Sequence, residues 1–503
     1  MTRTRPRFDR RSLLMLGAVG MLTSGSAFMT ARADPISFFT ESLPVKDFHT
    51  EDGALENPDL VTDVLVVGGG AAGLCAAVAA AEAGAKVLLL EKASALGGDT
   101  LISGGYYNAV DPARQRLQGI TDSVEAFCAQ MLAVSGGFST PAVVHALASG
   151  AGETLSWLEA HGLAFLPRVM EVYGSMFPRA HKPILPRGTG WIRALSESAL
   201  AAGVQIRTNA AVVRLMQDEA SGGVSEALAV MRSGSGAVLH RVRARRGVVV
   251  ASGGYGANPK LVAEASPDLA KLPVDSSPGS TGEMLEAARR VGADIVNLRF
   301  IECVPGSRAG MGFPIRLDYI PQRMIMVDHL GRRFVDETGS RAEVAEAILR
   351  AGSPAWAIAD ADAVRSFDAH EQKNLYRGLY AGEAYREQTP EALARVLGLD
   401  LDAFRDSMTS SVARERLRAR PLWATGLHLR VHSTLGGIRI DEHARALSPL
   451  GEPVPGLWAA GAATGNVHGR TRIGANGLNC AAVFGRLAGL GAARMPSLVQ
   501  RGD

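Results

Sequence analysis

Four cysteines in 503 residues are too few and too scattered to carry electrons. Cys75, Cys128, Cys303 and Cys480 form no C-x-x-C pair, no C-x-x-C-H haem attachment and no iron–sulfur spacing. No internal haem or cluster is therefore available, and all four read as small buried core residues. A long apolar run is also missing. Leu13 to Met21 is only modestly apolar, and Gly17, Gly20, Ser24 and Gly25 leave that region too short and weak for a membrane anchor. There is no long repeat and no low-complexity tract. Excess charge of one sign is absent from most of the chain. The formal net charge is +3, but the first 33 residues hold six arginines and one aspartate, so the remainder carries −2. That balance gives no argument for a nucleic-acid partner or a basic membrane-binding surface.

The basic N-terminus has its own pattern. Arg10-Arg11 precedes the short apolar run, and Ala31-Arg32-Ala33 gives an A-x-A cleavage signal before Asp34. It resembles a twin-arginine export signal spanning 1–33, and implies a periplasmic protein that folds before export, with no stable membrane span once mature. Residues 34–60, with Pro35, Pro44 and Pro58, lack sustained periodicity and read as irregular.

The densest information lies between Asp63 and Lys92. Val64 to Val67 is an apolar, β-branched run suited to a strand buried on both faces, and Gly68-Gly69-Gly70-Ala71-Ala72-Gly73 follows directly. Gly68 permits the tight turn, Gly70 lets backbone N–H groups approach a pyrophosphate, and Gly73 lets the helix pack on the strand. An alanine-rich helix from Ala71 then points its partial positive charge at the phosphate, with Ala72 in its first turn. Val87 to Leu90 supplies a second strand, and Glu91, followed by Lys92, stands where an acid accepts hydrogen bonds from an adenosine ribose. This unit predicts a dinucleotide site and by itself admits NAD as well as FAD.

Further along, Gly97-Gly98-Asp99-Thr100 and Gly104-Gly105 place paired glycines where backbone would lie against a flat ligand. Helical stripes run from Ser123 through Leu158, a proline- and glycine-rich loop is expected around Arg179 to Pro183, and Trp191 to Ala202 reads as another helix. Strands are expected at Val204–Arg207 and Ala210–Leu215, the latter containing Val212, with an antiparallel pair at Ala227–Met231 and Leu239–Val242. Val248 to Val250 then reads as a buried strand ending on Ala251-Ser252-Gly253-Gly254. From about Leu298 to Arg430 the α/β pattern is interrupted by mixed elements and arginine clusters, and it resumes at Leu435-Gly436-Gly437 and Trp458-Ala459-Ala460-Gly461. The reading is an α/β protein: a Rossmann-like dinucleotide-binding domain (61–297 and 432–495) with an inserted α+β domain (298–431) and a short tail (496–503).

With these motifs in view, the chain resembles the flavoprotein family of fumarate reductase and succinate dehydrogenase, closest to the soluble flavocytochrome c-type members but without a haem domain. The motifs are the opening unit, Gly97–Thr100, Ala251–Gly254, Gly331-Arg332-Arg333-Phe334-Val335-Asp336-Glu337, His432-Ser433-Thr434-Leu435-Gly436-Gly437, and Ala460-Gly461 through His468-Gly469-Arg470-Thr471-Arg472 to Asn476. The resemblance implies a Rossmann-like FAD-binding domain with an inserted α+β capping domain and a site where the two meet, and FAD held noncovalently, because Asp99 stands where membrane-bound relatives attach the flavin through histidine. It implies Arg341 as proton donor and His432 and Arg472 as catalytic partners. His468, Thr434 and Tyr319 are substrate-binding candidates, and Gly461, Asn476 and Leu478 complete the cofactor walls. Arg332 and Arg333 would supply nearby cations, and Asp336, Glu337 and Glu343 possible relay carboxylates.

The departures concern the substrate. Where dicarboxylate reducers of this family carry His-Pro, the chain reads Val304-Pro305. Their Thr-Glu pair has no counterpart in Gly312 to Pro321, which offers Arg316, Asp318 and Tyr319, and Ala460-Gly461-Ala462 lacks a flavin-facing glutamate. The expected activity is FAD-dependent reduction, or the reverse introduction, of a double bond conjugated to a carboxylate or ketone. The expected partners are a small unsaturated acid or enone and a separate electron carrier such as a small cytochrome c. Two other readings stay open: a 3-ketosteroid-type dehydrogenase acting on a bulky cyclic ketone, and a flavin-binding sensor or assembly protein without turnover.

Overall fold

The computed structural model describes residues 58–499 apart from 176, 234 and 235. The leader and nearly all of the following irregular segment lie outside the described residues. Strand Leu60–Val67, helix Ala71–Glu82 and strand Val87–Leu90 form in the predicted order. Val64 to Val67 pair in parallel with Val87 to Leu90 on one side and Gly247 to Val250 on the other. With a strand flanking it on each side and no residue from Val64 to Val67 more than 5% exposed, this segment has no face for polar residues, which explains its unbroken apolar run.

The parallel sheet extends to Gln205–Arg207 beyond the second strand and to Pro453–Ala459 beyond Gly236–Val250. That 15-residue strand takes antiparallel and parallel partners within one eight-stranded sheet. Its first half pairs antiparallel with Val224–Ser233, and its second half joins the parallel sheet. Two helices pack tightly over the sheet. A Cβ at Gly485 would lie 2.4 Å from the Ala72 carbonyl, and one at Gly489 would lie 2.1 Å from that of Ala76. Glycines four apart thus face alanines four apart, and the helix Asn476–Arg494 approaches Ala71–Glu82 closer than any side chain would permit.

One local reading is corrected. Ala180–Pro183, expected as loop, is a strand pairing with Tyr107–Asn108 and with Phe165–Met170. Its stability is tertiary: His181 is buried between the Tyr107 carbonyl and Asp111, each 3.1 Å away, and Arg179 is buried against Asp122.

A four-stranded antiparallel sheet of Met324–Val327, Trp356–Asp360, Leu422–Gly426 and Ala384–Glu387 forms with its own apolar clusters, around Met326 and Trp423 on one side and Ile358 and Phe404 on the other. The main core, around Leu65 and Val249, is separate. Strands Ile301–Gly306 and His428–Thr434, paired antiparallel with Glu302 opposite Ser433, connect the two regions. All four cysteines are free; three are buried and Cys128 is partly exposed. Among the described residues, no helix is long and apolar enough to cross a membrane.

Candidate active site

A long cavity opens where the parallel strands end. It is lined by Gly68, Gly70, Ala72, Glu91, Lys92, Gly98, Asp99, Thr100, Val212, Ser252, Gly253, Gly461 and Leu478, thirteen of the predicted cofactor residues. The turn is prepared for an anion. Gly70 caps the helix with no side-chain hydrogen bond and no acid follows in the first turn, so the free N–H groups and the dipole face the cavity. Thr100 Oγ1 accepts from the Ala71 N–H at 3.0 Å, while a Cβ at Gly98 would meet nothing within 4 Å. Glu91 is fixed by accepting from the N–H of Gly69 at 2.7 Å and of Ala93 at 2.8 Å. This open backbone cradle beside a positioned carboxylate fits a dinucleotide.

Four predicted residues lie outside the lining. Gly73 packs the helix on the turn, since a Cβ there would lie 1.9 Å from the Gly68 carbonyl. The Gly105 carbonyl accepts from Trp191 Nε1, Gly104 lies against Tyr106, and the Asn476 side chain is buried accepting from Asn108.

Toward its other end the cavity reaches His432, Ser433, Asp275 and Arg472. His432 Nδ1 stands 3.5 Å from Asp275 Oδ2. Burial opposes ionisation of Asp275, but His432, Arg316 and Arg430 together hold its carboxyl below the usual range. Arg472 is packed against Gly477 at the start of the closing helix, 8% exposed. Arg341 opens the helix Arg341–Ala351, whose first turn is fixed by a capping box between Ser340 and Glu343. Its guanidinium donates to the Tyr173 carbonyl through Nε at 3.1 Å and Nη2 at 2.9 Å.

The residue that joins them is Glu302. Its Oε2 accepts from Arg341 Nη1 at 3.0 Å and is paired with Arg472 Nη2 at 2.7 Å, and the residue is 4% exposed. Burial alone would raise this carboxyl; Arg472, Arg341 and His432 overcome it and hold it below its ordinary value. The same environment acts on the cations: burial lowers the Arg472 guanidinium, as does Arg341, against the pull of Glu302. His468 is pushed down to about 3 by burial and by Arg472, so its imidazole is neutral at physiological pH. Glu302 Oε1 and the Tyr173 hydroxyl are buried with no hydrogen-bond partner among the described residues. Sequence reasoning passed over Glu302, although a lone carboxylate in Phe300-Ile301-Glu302-Cys303-Val304 was a visible signal.

Other candidates lie elsewhere. Tyr319 packs edge-on against Phe367 with centroids 5.1 Å apart, and Thr434 Oγ1 is buried, accepting from the Tyr255 N–H at 3.2 Å. The expected relay acids are engaged elsewhere: Glu343 in the capping box, Glu337 with Arg333 and Arg416, and Asp336 with Thr338. Arg332 pairs with Asp328.

Residues 63–478 match a family model described as an FAD binding domain. The chain is 30% identical to an NADH:acrylate oxidoreductase of Vibrio harveyi, over 85% of this chain and 50% of that protein. It spans only half of that relative. It is also 30% identical to the fumarate reductase (cytochrome) of Shewanella frigidimarina, over 89% of this chain and 80% of that protein. Among solved structures, a flavocytochrome c3 fumarate reductase in its open conformation aligns with TM-score 0.70 at 28% identity, covering 87% of this chain and 79% of that one. A 3-ketosteroid-Δ4-(5α)-dehydrogenase from Rhodococcus jostii RHA1 aligns with TM-score 0.71 at 24% identity, covering 88% and 99%, a likeness of fold alone. On the FAD cradle and these matches together, the chain belongs to the fumarate reductase flavoprotein family and is an FAD-dependent oxidoreductase.

Proposed function

We propose that this enzyme reduces a carbon–carbon double bond conjugated to a carboxylate, with Arg341 as proton donor and Arg472 and His432 as the groups that bind and polarise the acid. The observation that carries this reading is the meeting of Arg341 and Arg472 on one buried carboxylate, beside a cavity that also reaches His432. Gly70 and Ala72 would hold the pyrophosphate, Glu91, Lys92 and Val212 the adenosine, and Gly98 to Thr100, Ser252, Gly253, Gly461 and Leu478 the flavin end. FAD, when bound, supplies hydride chemistry at N5. The residues of the chain supply the rest. Arg472 and His432 draw charge toward the carboxylate, which makes the β-carbon electrophilic. Arg341 holds a proton for the α-carbon, and Glu302, 3.0 Å from its Nη1, is the nearest carboxylate to restore it. Asp99 accepts from Ser280 Oγ at 2.7 Å and from the Ser277 N–H, and supports noncovalent FAD.

Electrons would come from a separate carrier, since no cysteine spacing supports haem or a cluster. The twin-arginine-like leader supports export to the periplasm. A cyclic-ketone desaturase is less well supported, because Tyr319 is spent in packing against Phe367 outside the cavity lining.

The test is anaerobic stopped-flow reoxidation of the reduced holoenzyme by a panel of unsaturated acids and enones. Acceleration by an unsaturated acid is expected, and Arg341→Ala should retain flavin while losing about 100-fold or more of that rate. A response to enones alone would favour the ketone reading, and no response at all would favour a binding protein without turnover.

A further inference from the structure

We propose that Glu302 restricts this enzyme to acids carrying a single carboxylate, by cancelling within the protein one of the two cations that a diacid would need. The inference rests on the reading above, that the site takes an unsaturated acid. Glu302 Oε2 lies within 3.0 Å of Arg341 Nη1 and 2.7 Å of Arg472 Nη2, and all three residues are no more than 8% exposed. Two buried guanidinium groups and one buried carboxylate leave a single positive charge. His468 adds none, because its imidazole is neutral. His432 has its own counterion, Asp275, which faces it at 3.5 Å. One substrate carboxylate therefore completes the charge balance, and a second would be buried without a counterion, a costly state in a site shielded from water.

The stretch that replaces the Thr-Glu pair of dicarboxylate reducers supplies no spare cation. Arg316, partly buried beside Tyr319, is committed to Asp318 in a bidentate pair, Nε to Oδ1 at 2.9 Å and Nη2 to Oδ2 at 2.5 Å. Val304, two residues beyond Glu302, is 1% exposed in the apolar cluster with Cys303 and Leu317, and offers a carboxylate nothing to bind.

The test compares acrylate and crotonate with fumarate as oxidants of the reduced, FAD-loaded enzyme, each followed to saturation so that apparent Kd and limiting rate are separated. The wild type is expected to favour the monoacids at least tenfold in the ratio of rate to Kd. Glu302→Gln, which keeps the shape and removes the charge, should move that ratio at least tenfold toward fumarate, chiefly through Kd, and Glu302→Asp should restore it. Faster wild-type oxidation by fumarate, or the same ratio in Glu302→Gln, would overturn the inference. Binding is read independently from the perturbation of the oxidised flavin spectrum by propionate and succinate. If no unsaturated acid oxidises the flavin, the reaction assignment fails. A wild-type preference for propionate would then still uphold the charge argument, and equal or tighter binding of succinate would overturn it. The same wild-type titration decides the matter if Glu302→Gln does not retain flavin.

Discussion

Arg341 shows how much a site residue depends on the groups that hold it. Two of its nitrogens are spent on the Tyr173 carbonyl and a third on Glu302, and its guanidinium lies 5.3 Å from the Tyr173 ring. A lysine carries the same charge but has no planar fork to satisfy both acceptors at once. Arg341→Lys should therefore bind FAD normally and lose about 100-fold in flavin reoxidation by the unsaturated acid. Near wild-type rates would show that charge alone suffices and that the fork is incidental. Resemblance to the family singled out Arg341, His432 and Arg472 as candidates, and the sequence did not point to Glu302, the carboxylate on which two of them meet, for a physical reason. Glu343 and Glu337 are close to Arg341 along the chain, but one closes the capping box and the other pairs with Arg333 and Arg416. Proximity along a helix start does not place a carboxylate on a guanidinium that turns inward, whereas a strand 39 residues away does.

At the level of elements, the cradle is made by close approaches that only small residues allow. The opening strand, turn and helix were legible because their pattern is local: β-branched residues, glycines, then alanines. The strand Ala180–Pro183 was not, because its partners at Tyr107 and Val169 are distant and its proline and charged neighbours carry no strand signal. The helix Asn476–Arg494 likewise gave no sign of the partner its glycines face. Gly489→Ala would place a methyl 2.1 Å from the Ala76 carbonyl, where helix backbone must yield. We expect a loss of about 1–3 kcal/mol and weaker FAD retention, since Ala76 belongs to the helix whose first turn faces the pyrophosphate. Gly203→Ala, at a positive-φ turn where a Cβ meets nothing within 4 Å, pays a backbone cost without disturbing that helix and should keep FAD affinity. Thermal unfolding with and without added FAD would separate the two. Equal loss of FAD affinity in both variants would show that the helix contact does not position the cradle.

For the molecule as a whole, the triad of Arg341, Glu302 and Arg472 is also a structural tie. Arg341 belongs to the helix beside the four-stranded sheet, Arg472 precedes the helix that covers the parallel sheet, and Glu302 sits on the strand pair connecting the two regions. Removing the central charge leaves two buried guanidinium groups facing each other, so Glu302→Gln should cost about 3 kcal/mol at pH 7. The pH dependence fixes the cause. The folded-state carboxyl of Glu302 is held below the ordinary glutamate value of 4.5, so its contribution is complete above that value and is lost as pH falls through the folded one. Asp122, Asp275 and Asp368 are held low as well, so wild type and variant should both weaken in acid. The gap between them isolates Glu302. It should be constant from pH 8 to about 5 and should narrow below about 4.5, where the wild-type residue becomes as neutral as the glutamine. Thermal midpoints of the FAD-loaded proteins across this range measure the gap. A gap that persists unchanged in acid would mean that the glutamine misfits the site sterically, and that the tie does not depend on charge.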